Sequence, residues 1–218
     1  MNKTKFAIGC LVQWYEVDII GEYIETLKES VNHYDGEVLI DFTICMNQDL
    51  EECVSVEKLE SCRTRIGLDI MEVNFKTIFT DKLVTISDYR REFNDKYCES
   101  VDVLVWGESD MLVPKQMFET LDMLHQSTKE DTPKYLATFG GCKMWDSSWT
   151  PLEHIDFTNK EHSDNPEDWW SVNYVMNKDE MNKFNDVEEL KVTTIQPHKY
   201  NGCGLVISSE VIKSGVNI

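Results

Sequence analysis

The feature that most constrains this chain is a series of short, largely apolar segments separated by helix-length amphipathic ones. The apolar runs are "KFAIGCLV" (5–12), "EVLIDFTICM" (37–46), "DIMEVNF" (69–75), "VDVLVW" (101–106) and "YLATFG" (135–140). Most are continuous rather than alternating, which is how a strand reads when both its faces are covered. Between them lie helical patterns. Ile20, Ile24, Leu27 and Val31 share one face of 17–33, and Leu50, Cys53, Leu59, Cys62 and Ile66 do the same in 49–67. "SDYRREFNDKYC" starts with Ser87 as an expected N-cap and sets Phe93 and Tyr97 on one side. In "VPKQMFETLDML", Pro114 suits a first helical turn, ahead of Met117, Leu121 and Leu124. The order up to about residue 140 is thus β-α-β-α-β-α-β-α-β. It predicts a single α/β domain with a mostly parallel central sheet flanked by helices.

After that point the character changes. Residues 141–190 are aromatic, polar and loop-rich, and hold Trp145, Trp149, Trp169 and Trp170 of the six tryptophans. Two further strand-like runs follow, "KVTTIQ" (191–196) and "CGLVIS" (203–208). The expected organisation is one Rossmann-like domain in two halves, 1–140 and 141–218, the second loop-rich and Trp-rich.

Charge narrows the partners. Forty acidic against 21 basic residues give a formal net charge of −19, which repels a nucleic-acid backbone or an anionic membrane surface. A small anionic substrate would then need a local cation, from a few Arg or Lys or from a bound metal. The seven cysteines include no C-x-x-C pair, so they read as small buried hydrophobes in a reducing compartment. "MNKTKFAIGCLVQW" carries a strand-like run rather than a secretory leader, and no apolar run of about 18 residues exists. A cytoplasmic location without a transmembrane segment is expected.

In an open parallel sheet, ligands bind beyond the carboxyl ends of the strands. That rule selects Gln13–Glu16, Asn47–Asp49, Phe75–Lys76, Gly107–Asp110 and Gly140 onwards. Glu108-Ser109-Asp110 stands out, because a buried run ends there in two carboxylates. An acid-x-acid triplet is common in so acidic a chain, and its position is what counts. If the extended conformation continues past Gly107, both side chains point the same way. Converging carboxylates suit a hard divalent cation, Mn²⁺ or Mg²⁺.

The pattern resembles a GT-A fold glycosyltransferase of the family 2 type. "FAIGCLVQWYEVDIIGEYIETLKESV" is similar to that family's first strand, loop and helix, and "VLIDFTICMNQD" to its second strand. "RREFNDKYCESVDVLVWGESDMLVPKQMFETL" follows its Asn-containing helix, apolar strand and acidic pair, and "YNGCGLVISSEVI" its later glycine-rich strand. The resemblance covers most of 5–125 and 200–212 and implies sugar transfer from a nucleotide-diphosphate donor to an acceptor hydroxyl. It makes 1–140 the nucleotide-sugar-binding half and 141–218 the acceptor side.

The resemblance also implies roles. Asp110 would hold the metal that neutralises the leaving diphosphate, and Glu108 would hold the donor's ribose or join the metal through water. Gln13, Trp14 and Tyr15 would frame the base, with either aromatic as a stacking face or as core. Asn47 and Asp49 would contact base or ribose, Asn94 sits at the usual distance ahead of the acidic pair, and Arg91 (or Arg90) would reach the diphosphate. His198 would complete the metal shell. Inverting members carry an acidic base well after the glycine-rich strand, and the residues up to Ile218 offer none at that distance. The base is then expected among Asp146, Glu153, Asp156, Glu167 and Asp168, with Asp168 chosen because Trp169 and Trp170 adjoin it. Otherwise the enzyme retains configuration, or the module binds a sugar or partner without turnover. A nucleotidyltransferase would want a Gly-rich loop after the first strand and a two-metal phosphohydrolase an Asp there, and "LVQWYEV" has neither.

Overall fold

Residues 6–12 lie in a strand whose odd and even positions are both buried, and this dictates the layering around it. The computed structural model of the 218-residue chain describes residues 2–13, 20–47, 64, 73–80, 85–109, 111–138, 141–143, 173–174, 186 and 204–217. Strand β1 (Phe6–Gln13) leads to helix α1 (Ile20–His33), then β2 (Val38–Asn47) and β3 (Val73–Thr80). Helix α2 (Ile86–Tyr97), β4 (Val103–Gly107), β5 (Met111–Leu112) and α3 (Met117–Thr128) follow, then β6 (Leu136–Thr138), β7 (Gly141–Lys143) and β8 (Asn173–Tyr174). Strand β9 (Leu205–Ser208) and helix α4 (Ser209–Lys213) complete the described elements.

The main sheet runs β3-β2-β1-β4-β9-β6. Strands β3, β2, β1 and β4 are parallel, and β9 is antiparallel to both β4 and β6. A small second sheet, β5-β7-β8, pairs the residues just after the acidic segment with 141–143. Along β1, Phe6, Ile8, Cys10 and Val12 pack with Tyr23, Ile24 and Leu27 of α1 and Phe118 of α3. Ala7 and Leu11 pack on the other face with Tyr89, Phe93 and Tyr97 of α2 and Ile212 of α4. Helices therefore cover both faces, which explains the unbroken apolar runs. Each fully buried Ile, Leu or Phe contributes about 1.5–3 kcal/mol. Among the described residues no helix is long and apolar enough to cross a membrane.

Several boundaries differ from the sequence expectation. Helix α2 is capped by Thr85 rather than Ser87. The Asp88 N–H donates to Thr85 Oγ1 at 3.1 Å and the Thr85 N–H to Asp88 Oδ2 at 3.3 Å, so one box satisfies two end groups that Ser87 would leave open. Helix α3 begins at Met117, whose N–H donates to the Pro114 carbonyl at 3.0 Å, because Met111–Leu112 is spent on a strand. The third strand is 73–80 rather than 69–75, since pairing with β2 extends through the polar Lys76 and Thr77. The 49–67 helix (apart from Thr64), the 191–196 strand and the four late tryptophans lie outside the described residues.

Two clasps fix the base of the sheet. Tyr34 follows α1 and donates its hydroxyl to the Thr4 carbonyl at 2.8 Å. Asp122 of α3 accepts from the Thr4 N–H (3.1 Å), Thr4 Oγ1 (2.5 Å) and Gln126 Nε2 (3.3 Å), with Lys3 Nζ at 3.4 Å. Burial alone would raise this carboxyl's pKa, but the Thr4, Gln126 and Lys3 donors hold it below the ordinary 3.8. A depressed folded-state value means the stabilisation is complete above about pH 4 and is lost as pH falls through the lower folded-state pKa. Asp122→Asn should cost about 1–3 kcal/mol at pH 7 and give a shallower loss of stability between pH 5 and 3 in melting experiments. An acid limb parallel to that of the wild type would remove Asp122 from this role.

Candidate functional site

The strand order reverses direction at β1: β2 and β3 lie to one side, β4 to the other. Crevices form at the carboxyl ends of strands where such a reversal occurs, because neighbouring connections leave in opposite directions. A cavity of about 210 Å³ opens there, on the α2 face of the sheet. Leu11 and Trp106 come from the two central strands, and Ile86, Tyr89 and Arg90 from the first turns of α2. Gly107, the last residue of β4, forms the rim with Glu108 and Ser109. The α2 residues reach it because 86, 89 and 90 fall on the side of the helix that meets the sheet.

Arg90 is the cation of this cavity. Its guanidinium carbon lies 4.6 Å from the centre of the Trp106 ring, and one terminal nitrogen lies 3.5 Å from Glu108 Oε1. Both side chains are largely sheltered, at 16% and 23% exposure. Guanidinium on indole is worth about 0.5–2 kcal/mol. The contact with Glu108 is longer than the roughly 2.7–2.9 Å of a tight charge-assisted hydrogen bond, so it is an electrostatic neighbour rather than a locked fork. Trp106 itself is buried, and its indole N–H donates to Asn94 Oδ1 at 2.9 Å.

The rim turns immediately after Gly107. The Met111 N–H donates to the Glu108 carbonyl at 3.1 Å and Ser109 lies in a turn, so the chain does not continue extended past β4. The expected alternation from Glu108 to Asp110 assumed an extended chain through Ser109, which is in a turn; the direction of the Asp110 side chain lies outside the described residues. Directly after the turn, Met111 and Leu112 pair with β7. Val113 continues the tie by donating its N–H to Thr26 Oγ1 of α1 at 3.0 Å.

Of the other residues singled out in the sequence, Gln13 and Asn47 end β1 and β2 at the carboxyl edge, with side chains outside the described residues. Trp14, Tyr15, Asp49, Asp110, Asp168 and His198 also lie outside them. Arg91 is on α2 and exposed, whereas Arg90 lines the cavity. Asn94, one turn further along the same helix face, is fully buried and bonded to Trp106 and Asn217. The structure thus brings Glu108 together with Arg90, and adds Trp106, Tyr89, Ile86 and Leu11, which the sequence did not single out for the site. The 86–90–94 helical repeat was the signal for Arg90.

Chemically, the cavity pairs an apolar wall with one guanidinium and one carboxylate. Among the described residues no group of three His, Cys, Asp or Glu side chains gathers to hold a metal. Glu108 offers a hard oxygen donor suited to Mn²⁺ or Mg²⁺ as one ligand of a set, and an ion there would compete with Arg90 for it.

On the opposite face, Gly107 is demanded by Tyr23. A Cβ at 107 would collide with the Tyr23 hydroxyl, which is fully buried and without a hydrogen-bond partner among the described residues. Burial foremost, then the proximity of Cys10 and Glu108, pushes this hydroxyl's pKa well above its ordinary value.

No family model matches the sequence, and no curated protein matches it. Among solved structures, the apo form of the bifunctional glycosyltransferase WbbM overlaps 97% of this chain and 33% of its own, at 13% identity and a TM-score of 0.45. A nucleotide-diphospho-sugar transferase described as putative, from Desulfovibrio desulfuricans G20, overlaps 63% and 58%, at 10% identity and 0.38. A UDP-glucose pyrophosphorylase complexed with UDP-glucose overlaps 63% and 63%, at 12% identity and 0.33. This chain therefore spans less than two thirds of each of those structures. The described layout follows the order expected from the sequence: β1 and then α1, the Asn94-bearing helix α2, and the buried strand β4 with a turn at Ser109 after it. The late glycine-preceded strand β9 then returns antiparallel beside β4.

Gly107→Ala should cost about 1–3 kcal/mol through overpacking against Tyr23. Tyr23→Phe removes a buried hydroxyl that has no hydrogen-bond partner among the described residues and should raise stability by up to about 1 kcal/mol. In the Tyr23→Phe background the cost of Gly107→Ala should shrink. Additive denaturation energies for the pair would contradict the assigned contact.

Proposed function

We propose that this protein is a glycosyltransferase whose nucleotide-diphosphate sugar binds at the cavity between the carboxyl ends of β1 and β4. The observation that carries this reading is the Arg90 guanidinium, seated on Trp106 and facing Glu108 at the point where the sheet reverses direction. In such a reaction the acceptor oxygen forms a bond to the sugar's anomeric carbon, the bond from that carbon to the diphosphate oxygen breaks, and the acceptor proton passes to a base. The leaving diphosphate gains charge, so a fixed cation beside it lowers the barrier. Arg90 supports that role in a chain otherwise rich in carboxylates.

Glu108, with Asp110 and His198, would hold Mn²⁺ or Mg²⁺, which when bound would add positive charge beside the diphosphate. Gln13, Trp14, Tyr15, Asn47 and Asp49 end or follow in sequence β1 and its neighbour β2 and belong to the base and ribose side of the proposal. Asp168 is the proposed base, on the acceptor side formed by 141–218. The acceptor is a hydroxyl of a glycan or small molecule, and the proposed location is the cytoplasm.

A second reading is a GT-A-like module that binds a sugar or partner protein without turnover. It is favoured by the same Arg90–Glu108 contact, which engages a carboxylate the transfer reading assigns to the donor or metal. A panel of UDP-, GDP- and other labelled nucleotide sugars with Mn²⁺ separates the two, since transfer or hydrolysis is expected only of an enzyme. Arg90→Ala should weaken nucleoside-diphosphate binding about 10- to 100-fold, the scale of one or two charge-assisted hydrogen bonds. Asp110→Ala should abolish nucleotide-sugar binding and leave the fold intact. Unchanged affinity in the Arg90 variant would remove the cavity from the proposal, and unchanged affinity in the Asp110 variant would remove the metal.

A further inference from the structure

Helix α4 ends in a tight reversal that sends the chain back towards α2. Gly215 has φ +92°, a left-handed conformation that glycine adopts without steric cost. Its N–H donates to the Ile212 carbonyl at 2.9 Å, and the Val216 N–H to the Val211 carbonyl at 3.4 Å. These two bonds are those of a Schellman turn, and they deliver Asn217 beside α2.

There Asn217 joins a chain of side-chain hydrogen bonds with a fixed sense. The Trp106 indole is a donor only, so Asn94 must present Oδ1 to it, at 2.9 Å. The Asn94 amide nitrogen then donates to Asn217 Oδ1 at 3.0 Å. That leaves the Asn217 amide nitrogen to donate to Asp95 Oδ1, an acceptor, at 2.7 Å. A donor-only group at one end and a carboxylate at the other set both amides, and neither can flip without breaking two bonds. At the far end, the same indole carries the Arg90 guanidinium on its face.

We propose that Asn217 is a positioning residue for the cavity. It orients Asn94, Asn94 fixes the tilt of the Trp106 ring, and the ring sets where Arg90 stands against Glu108. The residue touches no ligand; its effect is on the direction in which the guanidinium points. Only the identity of the ligand rests on the proposed nucleotide-sugar reading.

The test uses the full chain with ¹⁵N-labelled tryptophan and arginine. Trp106→Phe identifies one of the six indole N–H signals, and Arg90→Lys identifies the Arg90 Nε–H signal. Asn217→Asp puts a second carboxylate against Asp95. It should shift both signals, speed exchange of the Trp106 indole proton at least about tenfold, and weaken binding of UDP or GDP at least about threefold. The double variant Asp95→Asn/Asn217→Asp has the wild-type net charge. Its carboxylate at 217 accepts from Asn94 and from the new amide at 95, so signals, exchange and affinity should return towards wild type.

An unmoved Arg90 signal in Asn217→Asp overturns the proposal, as does a double variant that fails to recover. Unaltered nucleotide affinity in a single variant whose signals have moved overturns it too. If neither UDP nor GDP binds the wild type, the nucleotide reading falls, while the two signals still judge whether Asn217 positions Arg90.

Discussion

The described elements are organised around the burial of β1 and β4 on both faces. These neighbouring strands are paired in register, Gly9 beside Trp106 and Cys10 beside Gly107. A side chain at either glycine would have nowhere to go. A Cβ at Gly9 would run into Tyr89 and Phe93 of α2, and one at Gly107 into Tyr23 of α1. The two glycines therefore admit helices pressing from opposite sides onto adjacent strands. That close approach brings the first turns of α2 over the carboxyl end of β4, where Arg90 can lie on Trp106.

Much of the layering was legible in the chain because it follows from solvation alone. Runs such as "VDVLVW" have no polar face, so they need cover on both sides, and the intervening helices supply it. One missed signal was local: Thr85 with Asp88 three residues on is a capping-box pattern, and the choice of Ser87 passed over it. The others were decided by partners distant in sequence. Lys76 and Thr77 look unlike a buried strand, yet backbone pairing to β2 carries β3 through them. The two-residue strand β5 is defined by its pairing with 141–143, directly after the turn at Glu108, and no local pattern announces that partner.

The site shows the same division. The position of Glu108 was readable from the rule that ligands gather beyond strand ends. The companion it faces was not, because choosing Arg90 over Arg91 requires knowing which side of α2 meets the sheet. Asn94 had a sequence signal, yet its amide is turned to the buried indole rather than to the cavity. The distinction is between a group that meets a ligand and one that determines where another group stands.

Arg90 is recessed within a protein whose formal charge is −19. A small anion diffusing inward meets a repulsive field before it reaches that sheltered cation. Dissolved salt shortens the reach of such a field to about 10 Å at 0.1 M, while a sheltered close contact is attenuated much less. Anion capture by this cavity would then quicken as ionic strength rises, the reverse of the behaviour of enzymes that steer anions with basic surfaces.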